Sequence, residues 1–446
     1  MRIFKTAMKV LGVLLFAVLL NSALTFAFVP YASKCDLTWQ EYRQQENLDL
    51  VFVGNSRIAH AFDPGMVGDE LGIDAFNTCT QGQLIEESYL AVKKVVDDHH
   101  PDTIVFGFDF CDVQGDEFPN PGRAFIKAKD KGDLGAYLSD CAFCFGDDRF
   151  YTKKESINWL FPWVDNHVKP TPGTIAQNVK MKIEQPSLKD AVEASSPGWT
   201  YFGKGYSNLD RTLNYNQGDT KVYTDVYKWK TLDDRKLQTL ADMADYCEQN
   251  GVDFVVAVTP LPVYNVLCYG NRYFDYGMQV RSLVRRHGGE YYDFNLAKPE
   301  LYDTTDTANY ADFQHLNTRG AAAASEALVK LFKARESGED VRGMFYSQDQ
   351  YEQAHQYVDL VKLSATCEDG NVKLAATAYA GTGTPIEYQF CVKDAAGAWQ
   401  VVRDWSGDSS YEMSVDGHGM CDVRVNARKV GTTAEFDRYR VTSITY

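Results

Sequence analysis

The sequence runs to 446 residues, 45% hydrophobic and 13% aromatic, which is enough for two or three folded domains and excludes a disordered tail. Its 61 acidic side chains against 45 basic ones give a formal net charge of -16 at pH 7. A field of that sign repels phosphate backbones, so nucleic acid is excluded as a partner.

The first element in chain order is apolar. Arg2, Lys5 and Lys9 precede VLGVLLFAVLLNSALTFAFV, an uncharged run from Val10 to Val29. As a helix it extends roughly 30 Å, the thickness of a bilayer's hydrocarbon core. A secretory signal peptide has a shorter apolar region before its small-x-small cleavage site, whereas this run continues through Phe28 and Val29 to Pro30, which favours an uncleaved anchor over a cleaved signal peptide. The basic flank is expected to stay cytoplasmic. Residues 1–34 are therefore expected to form a cytoplasmic tip and single transmembrane helix of a cell-membrane protein, with everything from residue 35 onward outside. Ten cysteines suit that exported setting. Cys141 and Cys144 form a CxxC with no second CxxC and no histidine at ligand spacing, so a local disulfide or two separate partners is expected rather than zinc or a redox centre. Cys391 and Cys421 fall in two alternating segments where a cross-strand or inter-sheet bond is expected.

From 49 to about 110 the pattern is strand, helix, strand, helix, strand. DLVFVG, GIDAFNT and TIVFGFDF are short apolar runs, and the segment between the last two carries Ile85, Tyr89, Val92, Val95 and Val96 at helical spacing. After a long gap the rhythm resumes. Leu237, Leu240, Ala241, Ala244 and Cys247 share a helical face, VDFVVAVTP is a strand, Val280, Leu283 and Val284 mark another helix, EYYDFN a strand, and Ala321 to Lys333 a helix. Continuous apolar strands alternating with helices predict an α/β domain on a parallel sheet, spanning 35–335.

The gap, about 113–230, is rich in Trp, Tyr, Gly and Pro and shows no sustained period. An insertion at the C-terminal side of such a sheet is read either as a substrate-shaping cap or as a structural elaboration on a sheet edge. Residues 336–357 read as a polar linker. From 358 to 446 seven short alternating runs divided by Gly and Asp turns predict a β-sandwich. It resembles the triple-tyrosine-type sandwich modules of bacterial surface and sensor proteins, a likeness that implies binding or spacing.

Two short motifs carry chemistry. VFVGNSR delivers Ser56 to the tip of the first strand, and NYADFQHLNTRG places Asp312 three residues before His315 at a helix entry. A serine hydroxyl is a weak nucleophile unless a base takes its proton and a third group orients that base. At this spacing Asp312 accepts from one imidazole nitrogen and leaves the other for Ser56.

With VFVGNSR at one end of the domain and DFQHLN at the other, the sequence resembles the SGNH (GDSL-like) hydrolases. Within them it is similar to the membrane-anchored exported branch that includes the DltD-type proteins of teichoic acid D-alanylation and the alginate O-acetylation enzymes. The resemblance implies a flavodoxin-like three-layer α/β domain with Ser56 as nucleophile, His315 as base and Asp312 as its orienting partner. It implies an oxyanion hole made from the Ser56 amide and Gly82, with Asn77 or Asn55 contributing. The family's third donor is an Asn in a GxND sequence after the third strand. The corresponding stretch here, FGFDFCD, offers Asp109 and no Asn, and a carboxylate donates only when protonated. Arg57 is expected either to bind an anionic substrate, with Asp109 beside it, or to pair with a carboxylate. Asp293 is expected to hold a loop near the site. His60 is read as packing, and His99 and His100 as helix-end residues favoured by the dipole.

The expected function is that of an extracytoplasmic serine esterase or O-acyltransferase acting on acyl esters of cell-envelope glycans or similar polymers, with no metal or organic cofactor required. The resemblance also implies a polytopic membrane acyltransferase as partner. The alternative is a catalytically degenerate scaffold that serves as a surface glycan-binding or assembly protein.

Overall fold

The computed structural model describes residues 2–114, 142, 145–147, 149, 161–195, 198–217, 220–226, 231–368, 370–415 and 419–445. The CxxC of Cys141 and Cys144 lies outside the described residues, as does much of the 113–230 insertion.

A helix at Arg2–Phe28 opens the chain. Within it Phe4–Phe28, 25 residues whose most apolar 18-residue stretch has a mean hydropathy of 2.3, is long and apolar enough to cross a membrane. Its outward side chains, such as Leu14, Phe16 and Leu19, are exposed.

Five strands form the α/β sheet: β1 (Leu50–Gly54), β2 (Ala75–Asn77), β3 (Thr103–Phe108), β6 (Asp253–Val258) and β7 (Glu290–Asp293). The sheet is parallel and its order is β2-β1-β3-β6-β7, the flavodoxin-type winding. β1 pairs in register with both neighbours, Leu50 opposite Ala75 on one side and Gly54 opposite Gly107 on the other. β1 is buried on every residue and β3 on all but its first, as expected for strands covered by helices on both faces. The helix Ile85–His99 buries Ile85, Val92, Val95 and Val96, and the helix Asp234–Gln249 buries Leu240, Ala241, Ala244 and Cys247. Each is the face that the sequence spacing marks.

The described residues divide into two compact units: Met1–Leu209 with Leu232–Val256 and Val284–Glu290, and Asp210–Thr231 with Ala257–Leu283 and Tyr291–Tyr446. In the first unit the described part of the insertion contributes a helix at Pro172–Glu184 and a hairpin, β4 (Trp199–Gly203) with β5 (Tyr206–Leu209). The hairpin is stitched to the loops that leave β1 and β2. The Asn77 amide donates to the Lys204 carbonyl, and Asn208 Nδ2 donates to the His60 carbonyl at 3.0 Å. Gly205 sits at φ 75° in that turn, and a Cβ there would lie 1.8 Å from the Asn77 carbonyl oxygen, so only glycine fits.

In the second unit, residues 336–357 contain a 3-10 turn at Val341–Met344 and a helix at Gln348–Ala354. The C-terminal region forms seven strands, β8 (Val358–Glu368), β9 (Asn371–Ala380), β10 (Ile386–Lys393), β11 (Trp399–Ser406), β12 (Ser410–Ser414), β13 (Met420–Lys429) and β14 (Arg438–Thr445). They make a four-stranded sheet, β11-β10-β13-β14, and a three-stranded one, β12-β9-β8. Val361, Val372, Leu374, Phe390, Val423 and Val425 are buried together as a core. The disulfide expected between Cys391 and Cys421 is corrected here. Cys391 stands opposite Arg424 and Cys421 opposite Ile444, and both are free thiols.

Candidate active site

The order of the α/β sheet reverses direction beside β1, so the loops leaving β1 and β3 flank the crevice where ligands bind in such sheets. Ser56 is the first residue of a four-residue helix, Ser56–Ala59, that starts directly after β1. Asn55 caps it, its side-chain oxygen accepting from the Arg57 amide at 2.9 Å. Gly54, at φ 145°, makes the bend. A Cβ on Gly54 would lie 2.9 Å from the Gly107 carbonyl, and one on Gly107 would lie 2.3 Å from Ile58 Cβ. The two glycines thus let the serine turn lie flat on the strand tips.

The loops after β1 and β3 are cross-linked. Asn55 Nδ2 donates to Asp112 Oδ1 at 3.0 Å, and the Asp109 amide donates to Asp112 Oδ2 at 2.8 Å. Arg57 forms an ion pair with Asp109, both side chains only 5% exposed. Asp109 is thus the carboxylate partner of Arg57 in this structure. Burial pushes the Asp112 carboxyl up to about 7, against the Arg57 charge and the Asn55 hydrogen bond that favour its ionised form. Asp112 escaped the sequence reading, although Asp109 and Asp112 stand at the capping-box spacing that the structure realises.

Two of the expected oxyanion residues lie at the end of β2, Asn77, and in the segment that follows it, Gly82. The Thr78 amide donates to the Phe52 carbonyl and the Thr80 amide to the Gly54 carbonyl, so this segment runs on beside β1 to its tip. Gly82 follows in an exposed turn at φ 65°. Asn77 is fully buried; its side-chain oxygen accepts from the Cys79 amide at 2.9 Å, and its Nδ2 has no hydrogen-bond partner among the described residues. His60 is buried, with Nδ1 2.5 Å from the Ser207 carbonyl and its ring against Trp199, the packing role expected of it. His99 ends its helix and His100 caps it in the left-handed region.

The second unit carries the histidine expected as base, His315. His315 Nδ1 lies 3.0 Å from Asp312 Oδ1 and 3.1 Å from Oδ2. A carboxylate only accepts, so the proton belongs on Nδ1 and the acceptor lone pair on Nε2. Asp312 Oδ1 also accepts from the amides of Gln314 and His315, each at 3.0 Å, which folds the motif into a tight turn. Arg211 Nη2 donates to Asp312 Oδ2 at 2.9 Å. Burial alone would raise the Asp312 carboxyl, but His315, the Gln314 amide and Arg211 outweigh it and hold it near 2. Asn317 caps the helix Thr318–Glu336 through the Gly320 amide and donates from Nδ2 to the Arg211 carbonyl, fixing the backbone that supplies the guanidinium. Arg211 escaped the sequence reading because no local pattern links it to a residue 101 positions away. Asp293 is buried at the end of β7, raised to about 6 by burial, and accepts from Tyr273 and Asn295. Asn295 in turn holds the Thr259–Leu261 loop, accepting from the Leu261 amide at 2.7 Å. Among the described residues there is no cluster of three or more His, Cys, Asp or Glu side chains able to hold a metal ion.

No family model matches the chain, and no curated protein matches it by sequence. Among solved structures it is similar to a protein from Bacteroides fragilis assigned as an acylhydrolase, at 8% identity and a TM-score of 0.31, over 66% of this chain and 94% of that one. It is also similar to a gut microbial diltiazem-metabolizing enzyme, at 11% identity and a TM-score of 0.29, over 83% of this chain and 72% of that one. Neither likeness reaches the level at which a shared fold implies shared chemistry.

Proposed function

We propose that the chain is an SGNH-type serine esterase or O-acyltransferase, anchored in the cell membrane and acting outside it on acyl esters of envelope glycans. The observation that carries this reading is the His315–Asp312 pair, an imidazole oriented through Nδ1 by a carboxylate that stays ionised down to about pH 2. That is the state a general base needs, with the acceptor lone pair on Nε2.

In this reading Ser56 Oγ attacks the ester carbonyl while His315 Nε2 takes its proton. The tetrahedral oxyanion is met by the Ser56 amide, the Gly82 amide and an Asn77 donor. Collapse expels the alcohol, which receives the proton from His315, and leaves an acyl-serine. Water then completes hydrolysis, or a sugar or polyol hydroxyl completes transfer. A polytopic membrane acyltransferase belongs to the transfer version as acyl supplier.

One observation favours the second reading, a degenerate scaffold that binds glycan without turnover: the position of the family's Asn donor is held by Asp109, spent in a buried pair with Arg57. A fluorophosphonate probe separates the two. The enzyme reading expects covalent labelling of the folded ectodomain that vanishes in Ser56→Ala and weakens in His315→Ala. Absence of labelling on folded protein favours the binder.

A further inference from the structure

The geometry points to a docking surface for the lipid bilayer on the first unit, formed by residues 161–184 beside the last turns of the N-terminal helix. This rests on the reading of Phe4–Phe28 as a membrane anchor. An anchor can carry its domain on a loose tether or hold it against the lipid, and the contacts here belong to the second case.

The helix end is locked to the domain. Lys182 Nζ donates to the carbonyls of Phe26 at 2.5 Å and Val29 at 2.6 Å, and Asn178 Nδ2 donates to those of Ala27 and Val29, each at 2.9 Å. The Val168 amide takes the Phe28 carbonyl at 2.9 Å, and the Tyr31 amide returns to Asn178 Oδ1 at 2.7 Å. Carbonyls that a helix terminus leaves open are thus met by side chains of another element, and the next helix begins at Lys34. Only residues 29–33 lie between.

These contacts also fix depth. Lys182 and Asn178 are polar and meet the anchor at residues 25–29, which sets that level in the headgroup region. The 21 residues from Lys5 to Thr25 then span about 30 Å, the thickness of a hydrocarbon core. One further contact lies deeper. Trp163 Nε1 donates to Asn21 Oδ1 at 2.8 Å, and Asn21 stands seven residues before Phe28, about 10 Å down the helix axis. The segment Phe161-Pro162-Trp163-Val164 is apolar, with Phe161 and Trp163 packed edge to face and Val164 exposed. A tryptophan with its ring among apolar neighbours and its N–H satisfied is suited to the membrane interface. These four residues enter the outer leaflet alongside the anchor, so the first unit is seated on the lipid.

The test uses the full chain in phosphatidylcholine–phosphatidylglycerol nanodiscs, with and without lipids brominated high on the acyl chain. Bromolipid is expected to remove from wild-type emission a component that Trp163→Phe lacks, about one part in the seven tryptophans of the chain. Equal fractional quenching of wild type and Trp163→Phe overturns the docking. The mass of the membrane-extracted protein separates this from failure of the anchor. A chain cleaved near residue 28 overturns the anchor and the docking with it, whereas an intact chain without a Trp163 component overturns the docking alone.

Discussion

Asp312 carries the most demanding position in the candidate site, because one carboxylate serves two amides, one imidazole and one guanidinium. Asp312→Asn keeps the shape, yet an amide offers its NH2 or its oxygen to His315 Nδ1 and no longer stabilises an imidazolium. Loss of kcat on the order of 10³–10⁴ is expected with a change of a few degrees in Tm, since the substitution acts on tautomer rather than packing. Ester turnover and a thermal melt on one preparation check both, and a kcat within tenfold of wild type rules out the orienting role. The Asp312–His315 pair was legible because it is local, three residues apart in one turn. Its Arg211 partner was not, since that contact exists only after folding. Asp112 gives a second test, through pH. Its carboxyl is raised to about 7 in the fold, chiefly by burial. The native state therefore binds a proton that the unfolded chain releases near pH 4, and the stabilisation this gives is lost as pH rises from about 4 through 7. Asp112→Asn retains one acceptor oxygen and is expected to flatten the fall in urea midpoint between pH 4.5 and 7.5. A slope identical to wild type rejects Asp112 as its source.

At the scale of elements, the serine turn depends on how closely three pieces of backbone approach. Gly107 meets Ile58 so tightly that an added methyl would overlap three of its side-chain atoms, at 2.3, 2.5 and 2.7 Å. Gly107→Ala is expected to cost ~1–3 kcal/mol by overpacking and to lift the Ser56 turn, lowering fluorophosphonate labelling more than stability alone accounts for. Ile58→Gly placed on top removes all three obstructing atoms, Cβ included, so the double variant should label faster than Gly107→Ala alone. Failure of that rescue shows that the glycine serves another purpose. The sheet strands and their helices were legible because continuous apolar runs and 3.6-residue spacing each have one structural solution. The helix Pro172–Glu184 was not, as its apolar positions are sparse and its neighbours aromatic. Its start was nonetheless written in Thr171 and Pro172, an N-cap followed by proline at the first turn.

At the scale of the whole molecule, the β-sandwich is built into the second unit rather than hung from it. Leu360 of β8 shares a buried core with Tyr215, Val222 and Tyr264, and Phe313 of the histidine motif packs against the same cluster. Arg440 donates to the Tyr215 carbonyl at 3.3 Å and to Thr220 Oγ1 at 2.8 Å. The centre of this join is Asp359, 2% exposed, which accepts from the Tyr264 amide at 2.9 Å and from Arg438 Nη2 at 3.1 Å. Burial raises its carboxyl and the Arg438 charge opposes that rise. Arg438→Ala leaves the carboxylate buried without its counter-ion, a change that typically costs ~3–5 kcal/mol. The loss must depend on pH. A raised carboxyl stabilises the fold while protonated and ceases to do so as pH climbs through its folded value, and without Arg438 that value moves higher still. The drop in Tm for Arg438→Ala is therefore expected to be several degrees larger at pH 8 than at pH 5, with the proposed esterase activity falling alongside because Phe313 lies two residues from His315. A drop equal at both pH values would assign the effect to lost packing of the arginine stem and leave the sandwich energetically separate from the histidine motif.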